Sequence, residues 1–302
     1  MHRRKQTTLR KVSHFFLTKM VIGVGVIVAL VAATEYLRSF LPATIVSDDA
    51  KEVIVGVIEV ALSTAGYIVL FRLYDKRRIH ELSSATFGRY AIIGSLAGVV
   101  MQALFIFVIW LAGTYVIINV NVVSTIVTPF AFALTAGFIA ELIMIGVVFR
   151  LLEEQMGTVI SLATFIILFT ILHINIKGAN LVSVGATAMQ AGFMLPAAFV
   201  FSRSLWFPIF LHFGWDFAEP GIFGGINPST SLTHGLFTSK ITGNILVTGG
   251  TNGPQDSLSS LILCTLLGCV FVLLAKRNNS LIKPVWQTTT TKGNVVTATV
   301  QD

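Results

Sequence analysis

The sequence has few charged residues and almost no cysteine. Only 12% of its 302 residues are charged, whereas a soluble domain carries about 25%. Its two cysteines, Cys264 and Cys269, lie in one apolar run, so we interpret them as packing residues rather than as a disulfide or a metal pair. The sequence contains no phosphate-cradling Gly loop, no heptad run, no fixed-period repeat and no nucleic-acid-binding motif.

The chain is rich in long apolar runs instead. Hydrophobic residues make up 54% of it, and the mean hydropathy is +0.82. A transmembrane helix needs about 20 apolar residues, and backbone polar groups in lipid must be satisfied within the segment. We therefore predict an all-α, polytopic membrane helix bundle of about eight transmembrane helices, at residues 20–41, 52–73, 90–113, 122–149, 157–175, 181–201, 204–218 and 257–275.

Lysine and arginine are distributed unevenly between the two sides of this bundle. They cluster before the first predicted span, between the second and third, and after the last, and they are sparse on the opposite side. Basic residues favour the cytoplasmic side, so we predict that both termini are cytoplasmic. The net charge of +7 then reflects topology and contact with anionic membrane lipids, and we expect no nucleic acid as a partner.

Four ionisable residues interrupt the apolar runs on three predicted spans: Glu141, His173, His212 and Asp216. Ionisable groups in a bilayer are costly and usually face the bundle interior for a functional reason. His212 and Asp216 are spaced i,i+4, so one helix face presents both. The alternative is structural, because a lone histidine in a membrane helix often makes only a packing or interhelical contact. We expect a fifth such residue, Glu59, to be structural.

These residue types allow three chemistries. Glu141 beside the two imidazoles would hold a water molecule and take its proton. His173, His212 and Asp216 would alternatively ligate a divalent metal, with zinc as the candidate cofactor. Histidine with a protonated carboxyl would also donate to a developing oxyanion. Each version suits hydrolysis of a carbonyl compound, and a peptide bond within the membrane is the natural candidate.

The motifs resemble the CPBP family of intramembrane proteases, which includes the type II CAAX prenyl proteases and the Abi-type immunity proteins. The family's Phe-x-x-x-His is present as Phe169–His173, and its His-x-x-x-Asn/Asp as His212–Asp216. Residues 248–255 resemble a family stretch that normally ends Gly-Pro-Glu, and residues 78–82 a basic-x-x-Glu-Leu segment. The resemblance covers about residues 76–257 and is sharpest over 137–218.

The family's first motif, Glu-Glu-x-x-x-Arg-Gly, departs here. Only its second Glu, Glu141, and its Gly, Gly146, remain, because the first Glu is Ala140 and the Arg is Ile145. In the family the first Glu is the leading candidate to work with the motif-two histidine on water. Glu141 is rotated about 100° from position 140 on a helix. The predicted depths of Glu141 and His173 also differ by roughly 10 Å, which leaves open whether they meet.

Two functions therefore stay open. One is a membrane endopeptidase of this family, a metalloendopeptidase if zinc is bound, acting on a peptide or a prenylated protein. The other is an inactive relative that binds a peptide or a partner. We expect a multi-pass protein of the bacterial cell membrane. Its predicted parts are a basic tail (1–19), N-terminal transmembrane helices (20–118), a CPBP-like core (119–275) with a long loop (219–256), and a flexible cytoplasmic tail (276–302).

Overall fold

The computed structural model describes residues 15–40, 47–176, 179–224 and 235–287. Within these residues the chain forms ten α-helices and one two-stranded sheet. The helices are α1 (Phe16–Arg38), α2 (Asp48–Leu73), α3 (Ser84–Leu111), α4 (Val127–Glu141), α5 (Arg150–His173), α6 (Leu181–Met189), α7 (Leu195–Ser202), α8 (Trp206–Phe217), α9 (Ile245–Thr248) and α10 (Leu258–Arg277). The strands are β1 (Tyr115–Val120) and β2 (Phe237–Ile241).

Six helical stretches of the described chain are long and apolar enough to cross a membrane. One of them, Val123–His173, runs for 51 residues. At about 1.5 Å per residue it would measure about 77 Å, more than twice the hydrocarbon thickness of about 30 Å. The all-α polytopic membrane bundle is confirmed. The count of eight crossings and the cytoplasmic termini stay predictions.

A kink at Gly157 divides this long stretch. Gly157 has φ 75° and ψ 165°, a backbone conformation that is open to glycine and strained for other residues. The chain after α10 occupies the space beside it, since a β-carbon at Gly157 would lie 2.7 Å from the Pro284 nitrogen. Thr158 and Ile282 exchange two hydrogen bonds there, of 3.0 and 2.9 Å. The kink falls at the predicted boundary between the fourth and fifth spans.

Irregular helical turns occur at three places in the described chain. Wide π-helical turns run over Leu142–Phe149 after α4, over Gln190–Met194 between α6 and α7, and over Ala218–Ile222 after α8. Turns of this kind are rare in proteins and often accompany functional sites. The predicted spans did not anticipate any of them, because an apolar run does not reveal its helical pitch.

Two strands form in segments that we predicted to be connections. β1 pairs antiparallel with β2, with Tyr115 opposite Ile241 and Val120 opposite Phe237. β2, α9 and two short 3-10 turns give local structure to much of the predicted loop 219–256, although residues 225–234 lie outside the described part. The predicted boundary at 118/119 falls inside β1.

The helix α8 lies at the centre of the bundle, close to α3 and α4. A β-carbon at Gly98 of α3 would overlap the Leu211 carbonyl oxygen, and one at Gly137 of α4 would lie 3.1 Å from the Phe213 nitrogen. Glycines at such crossings let helix backbones approach closely, as is common in membrane bundles. The fold thereby holds His212 and Asp216, both on α8, against α4.

The two predicted tails are only partly described. Residues 1–14 and 288–302 lie outside the described residues. Within the predicted C-terminal tail, Ser280 and Ile282 hydrogen-bond to Arg203 and Thr158. This stretch therefore packs against the cytoplasmic end that the charge pattern predicts.

Candidate functional site

A cavity of about 370 Å³ lies between α4, α5, α6, α8 and the turn Pro254–Asp256. Three of the four predicted site residues line it: His173, His212 and Asp216. The fourth, Glu141, lies behind His212. The remaining lining of the cavity combines apolar and polar side chains, namely Phe132, Ala136, Ala140, Phe169, Ile176, Thr187, Gln190, Ala191, Trp215, Asn252, Gln255 and Asp256. The predicted residues are thus brought to one place, although they come from three separate helices.

His212 is held between two carboxyl groups. Its Nδ1 lies 2.8 Å from Glu141 Oε1, and its Nε2 lies 3.3 Å from Asp216 Oδ2, one turn further along α8. Glu141 is 4% exposed and Asp216 8%, so solvent competes little for these contacts. The indole of Trp215 stacks on the imidazole with centroids 5.0 Å apart. We call Glu141, His212 and Asp216 the trio.

The hydrogen bonds determine how many protons the trio holds. A neutral imidazole has one N–H, so two contacts to carboxyl oxygens require a second proton on the ring or on one carboxyl. In either arrangement the three groups share two protons and carry one net negative charge. The trio can therefore give a proton to a group in the cavity while keeping one of its hydrogen bonds.

Glu141 does not take the place of the missing first Glu. Ala140 lines the cavity together with Ala136 and Phe132, which lie one and two turns earlier on the same face of α4. Glu141, one residue on, is turned about 100° away and reaches His212. Because the first motif presents a methyl group to the cavity, no carboxylate enters it from α4.

His173 has a fixed tautomer. Its Nδ1 lies 2.9 Å from the Phe169 carbonyl oxygen, which can only accept a hydrogen bond, so Nδ1 carries the proton. The Phe169 ring stacks on the imidazole at 5.8 Å and 9°. The Nε2 nitrogen is therefore left with its lone pair, which can accept a proton from a molecule in the cavity.

Glu141 and His173 do not meet directly. Among the described residues, no hydrogen bond or ion pair joins His173 to any member of the trio. No direct contact between them supports the expectation that Glu141 works on water beside His173, and that expectation stays a prediction. The difference in depth that the sequence predicts between the two residues agrees with this separation.

Sequence reasoning missed Asp256 as a site residue. Its carboxylate lines the cavity and accepts hydrogen bonds from Asn252 Nδ2 at 2.8 Å and from Thr187 Oγ1 at 3.3 Å. Burial raises the pKa of Asp256 above its usual range, although these two hydrogen bonds and the nearby His173 act in the opposite direction. Asp256 directly follows the Gly-Pro-Gln segment, inside the range of about residues 76–257 that the family resemblance covers.

Gln190 and Gln255 complete the polar wall. Gln190 Nε2 donates to the Gln255 carbonyl oxygen at 2.6 Å and to Ser260, while Trp215 Nε1 donates to Gln255 Oε1 at 3.2 Å. These bonds tie the turn before α10 to α8 and to the π-helical turn after α6. A polar residue such as Gln190 inside a predicted span is the feature that would have revealed this wall.

The donor set in this arrangement does not fit zinc. Among the residues that the structure describes, no group of three or more His, Cys, Asp and Glu side chains is placed to hold a metal ion. Both nitrogens of His212 already face carboxyl groups, so one contact would have to break before it could ligate. Zinc ligation by His173, His212 and Asp216 stays a prediction.

The comparisons with known proteins agree with the motifs. Residues 121–218 match the family model described as Type II CAAX prenyl endopeptidase Rce1-like. No curated protein and no solved structure matches the chain. The matched segment begins before α4 and includes Phe169–His173 and His212–Asp216. The chain is an integral membrane protein, and the match over residues 121–218, about a third of its length, supports the resemblance of its motifs to the CPBP family.

Proposed function

We propose that the protein hydrolyses a peptide bond in the 370 Å³ cavity, as a membrane endopeptidase that has replaced one acidic residue of its family by another. The observation that carries the proposal is the lone pair of His173 Nε2 in a cavity that also contains His212, Asp216 and Asp256. This set offers a proton acceptor and a proton donor in one enclosed space, as peptide hydrolysis requires.

The first half of the reaction uses His173 as the general base. Its Nε2 takes a proton from water while the water oxygen bonds to the carbonyl carbon, and the carbonyl π electrons move onto oxygen. The carboxylate of Asp256 stabilises the imidazolium that forms, since opposite charges attract strongly in a poorly solvated cavity. Asp256 thereby supplies the negative charge that the family places at position 140.

The second half uses the trio as the general acid. When the tetrahedral intermediate collapses, the C–N bond breaks and the leaving nitrogen takes a proton from the trio. The proton held by His173 then returns to the trio through water. Over the cycle one water molecule is consumed, one carboxylic acid and one amine are formed, and both catalytic groups regain their starting protonation. The role of the trio in this step is to hold and release a proton.

The lining suggests the class of substrate. Phe132, Phe169, Ile176 and Trp215 give the cavity apolar walls, which suit a hydrophobic group beside the scissile bond. The family's description names prenylated CAAX proteins as substrates, and such proteins carry an isoprenoid on a cysteine near the C-terminus. We therefore propose a prenylated peptide as substrate.

The test is cleavage of an S-farnesylated CAAX peptide by the purified full-length protein in detergent, followed by mass spectrometry. His173→Ala and His212→Ala should each abolish cleavage. Asp256→Asn should lower the rate about 10²- to 10⁴-fold, the range of a lost acid–base contribution. The control is Asp75→Asn, which changes a carboxylate paired with Lys19 and should leave the rate unchanged.

A second function is favoured by one specific observation. Ala140 presents a methyl group to the cavity, so the site has lost the carboxylate that the family uses. If the wild type binds the farnesylated peptide saturably without cleaving it, the protein is a peptide-binding relative and the hydrolytic proposal is wrong. Ala140→Glu should then create cleavage, because it would add a carboxylate to the lining of the cavity that contains His173.

A further inference from the structure

A second and larger cavity adjoins the candidate site along α4. Its volume is about 690 Å³, and residues of α1, α2 and α4 line it. It shares Phe132, Ala136 and Ala140 with the candidate site, so these three residues form the wall between the two spaces. Its size is in the range of pockets that hold small organic molecules, about 300–1,000 Å³.

The ionisable lining of this cavity is acidic. It contains three glutamates, Glu35, Glu52 and Glu59, and one cation, Arg38. Arg38 pairs with Glu35 at 3.4 Å and with Glu52. These three residues lie at the ends of α1 and α2, so the ion pairs occupy one end of the cavity. The paired groups leave an excess of negative charge.

Glu59 is the residue that points to a ligand. It lies 11 residues into α2, which begins at Asp48, and is therefore about 16 Å along the helix from that end. It is 7% exposed and lines the cavity. Among the described residues, no hydrogen bond or close ion pair is formed by its side chain, although the charges of Glu35 and Arg38 act on it. A buried carboxylate without a hydrogen-bonded partner is costly, and a cation that reached it would reduce that cost.

The other polar residues of the cavity are already satisfied. Thr128 donates its hydroxyl to Asp49 at 2.6 Å, and Thr135 donates to carbonyl oxygens of its own helix at 3.0 Å. Apolar side chains, including Val31, Val55 and Ile139, line the remainder. Away from the end that holds Glu35, Arg38 and Glu52, a ligand would thus meet the Glu59 carboxylate among mainly apolar walls.

We propose that this cavity binds a small organic ammonium compound, with the protonated amine at Glu59 and an apolar body against Val31, Val55 and Ile139. The site is independent of the proposed hydrolysis, since it uses no residue of the trio and neither His173 nor Asp256. The apolar body is required because a fully hydrated cation would have to leave water for walls that offer it few polar partners.

The test compares two probes of similar shape on the full-length protein in detergent. Phenethylamine is a cation at pH 7, and 2-phenylethanol is its neutral counterpart. We expect saturable binding of the amine by calorimetry, at least tenfold tighter than any binding of the alcohol. The amine should also raise the melting temperature of the wild type, because a ligand that binds only the folded state stabilises it.

Two variants test separately the charge of Glu59 and the volume of the cavity. Glu59→Gln should weaken amine binding at least tenfold and remove the thermal shift. Glu154→Gln, at a partly exposed carboxylate paired with Arg150, should change neither. If Glu59→Gln fails to fold, Val31→Trp tests the same site by filling the cavity, and it should also abolish binding.

The proposal is overturned by equal affinity for amine and alcohol, by absence of saturable amine binding to folded wild type, or by unchanged affinity in Glu59→Gln or Val31→Trp. If the wild type binds the amine but does not cleave the farnesylated peptide, the result counts against the proposed hydrolysis only.

Discussion

At the scale of single residues, the chemistry of the site depends on which neighbour each ionisable group meets. Glu141 and Ala140 are adjacent in sequence, yet one contacts His212 and the other lines two cavities. A carboxylate at position 140 would face the cavity, whereas the carboxylate at position 141 holds the imidazole of His212. In the proposed mechanism Glu141 is therefore a positioning residue for His212, and its own part in activating water stays an untested prediction.

Removal of the Glu141 carboxylate should disturb His212 first. In Glu141→Ala the Nδ1 of His212 loses its partner, and an unsatisfied buried polar group costs about 1–3 kcal/mol. We expect a lower melting temperature in detergent and at least a hundredfold slower peptide cleavage. Glu141→Gln retains an acceptor oxygen and should recover most of the stability but not the activity.

The control for this pair is Glu154→Gln, which lies away from the cavity. Equal loss of stability in Glu141→Ala and Glu141→Gln would show that the contact to His212 does not depend on a hydrogen bond. Full activity in Glu141→Ala would remove the trio from the proposed mechanism.

At the scale of helices, the site depends on the close approach of α8 to its neighbours. Gly214 lies between His212 and Asp216 and faces α3, where an added β-carbon would lie 2.8 Å from the Ser95 Cα. Because the obstructing atoms belong to the backbone of another helix, they cannot move aside as a side chain can. The crossing of α3 and α8 therefore sets the position of both ionisable residues.

Gly214→Ala should destabilise the protein although alanine favours helix by about 1 kcal/mol over glycine. The helices must separate, which moves His212 and Asp216 and lowers activity together with the melting temperature. Gly25→Ala is the matched control, since a β-carbon at Gly25 in α1 would meet nothing within 4 Å. It should be neutral or slightly stabilising. An equal effect of the two substitutions would contradict the close packing of α3 and α8.

The link between α2 and α3 is held by a second polar cluster. Arg77 donates to both carboxylate oxygens of Glu81, and the Tyr67 hydroxyl donates to Glu81 Oε1 at 2.7 Å. Burial alone would raise the pKa of Glu81, but the hydrogen bonds and charge of Arg77 and the bond from Tyr67 hold the pKa below its usual range. The Gly146 carbonyl, 3.0 Å from the Tyr67 hydroxyl, connects this cluster to the π-helical turn after α4.

The lowered pKa of Glu81 predicts a pH dependence of stability. A carboxyl whose pKa falls on folding stabilises the protein above its unfolded pKa, about 4.3, and this contribution is lost as the pH falls through the folded pKa. Glu81→Gln should therefore have a lower melting temperature and a lower free energy of unfolding than wild type at pH 7. The loss of free energy should be less than the about 3–5 kcal/mol of a fully buried broken pair, since Arg77 is partly exposed. This gap in stability between wild type and variant should narrow progressively below about pH 4.3. A gap that stays constant down to pH 3 would show that the cluster acts through packing alone.

At the scale of the whole molecule, the unequal distribution of lysine and arginine predicts the orientation in the membrane. With Cys264 and Cys269 replaced by alanine, single cysteines at Lys240 and Lys283 should be labelled from opposite sides by a membrane-impermeant maleimide. The cysteine at position 240 should react in intact cells, and the cysteine at position 283 only after the membrane is opened. Labelling of both from outside would contradict the predicted topology, and labelling of position 283 alone would invert it, because the distribution of lysine and arginine sets the orientation. A cysteine at Arg3, in the predicted cytoplasmic tail, should behave as Lys283 does.

The sequence alone determined the parts that depend on local composition. Apolar runs located the helices to within several residues, because hydrocarbon accepts only helical backbone of sufficient length. The cost of ionisable groups in lipid marked Glu141, His173, His212 and Asp216. Spacing on one helix placed His212 and Asp216 on a common face. None of these inferences required knowledge of which helices are neighbours.

Only the tertiary structure decided which groups meet. Glu141 bonds to His212, 71 residues away, rather than acting beside His173, and Asp256 reaches the cavity from a turn before α10. β1 and β2 pair across more than a hundred residues, and an unpartnered Glu59 faces a chamber behind Ala140. The physical reason is that such contacts depend on the rotation, depth and crossing of packed helices, where a turn of about 100° per residue exchanges one partner for another.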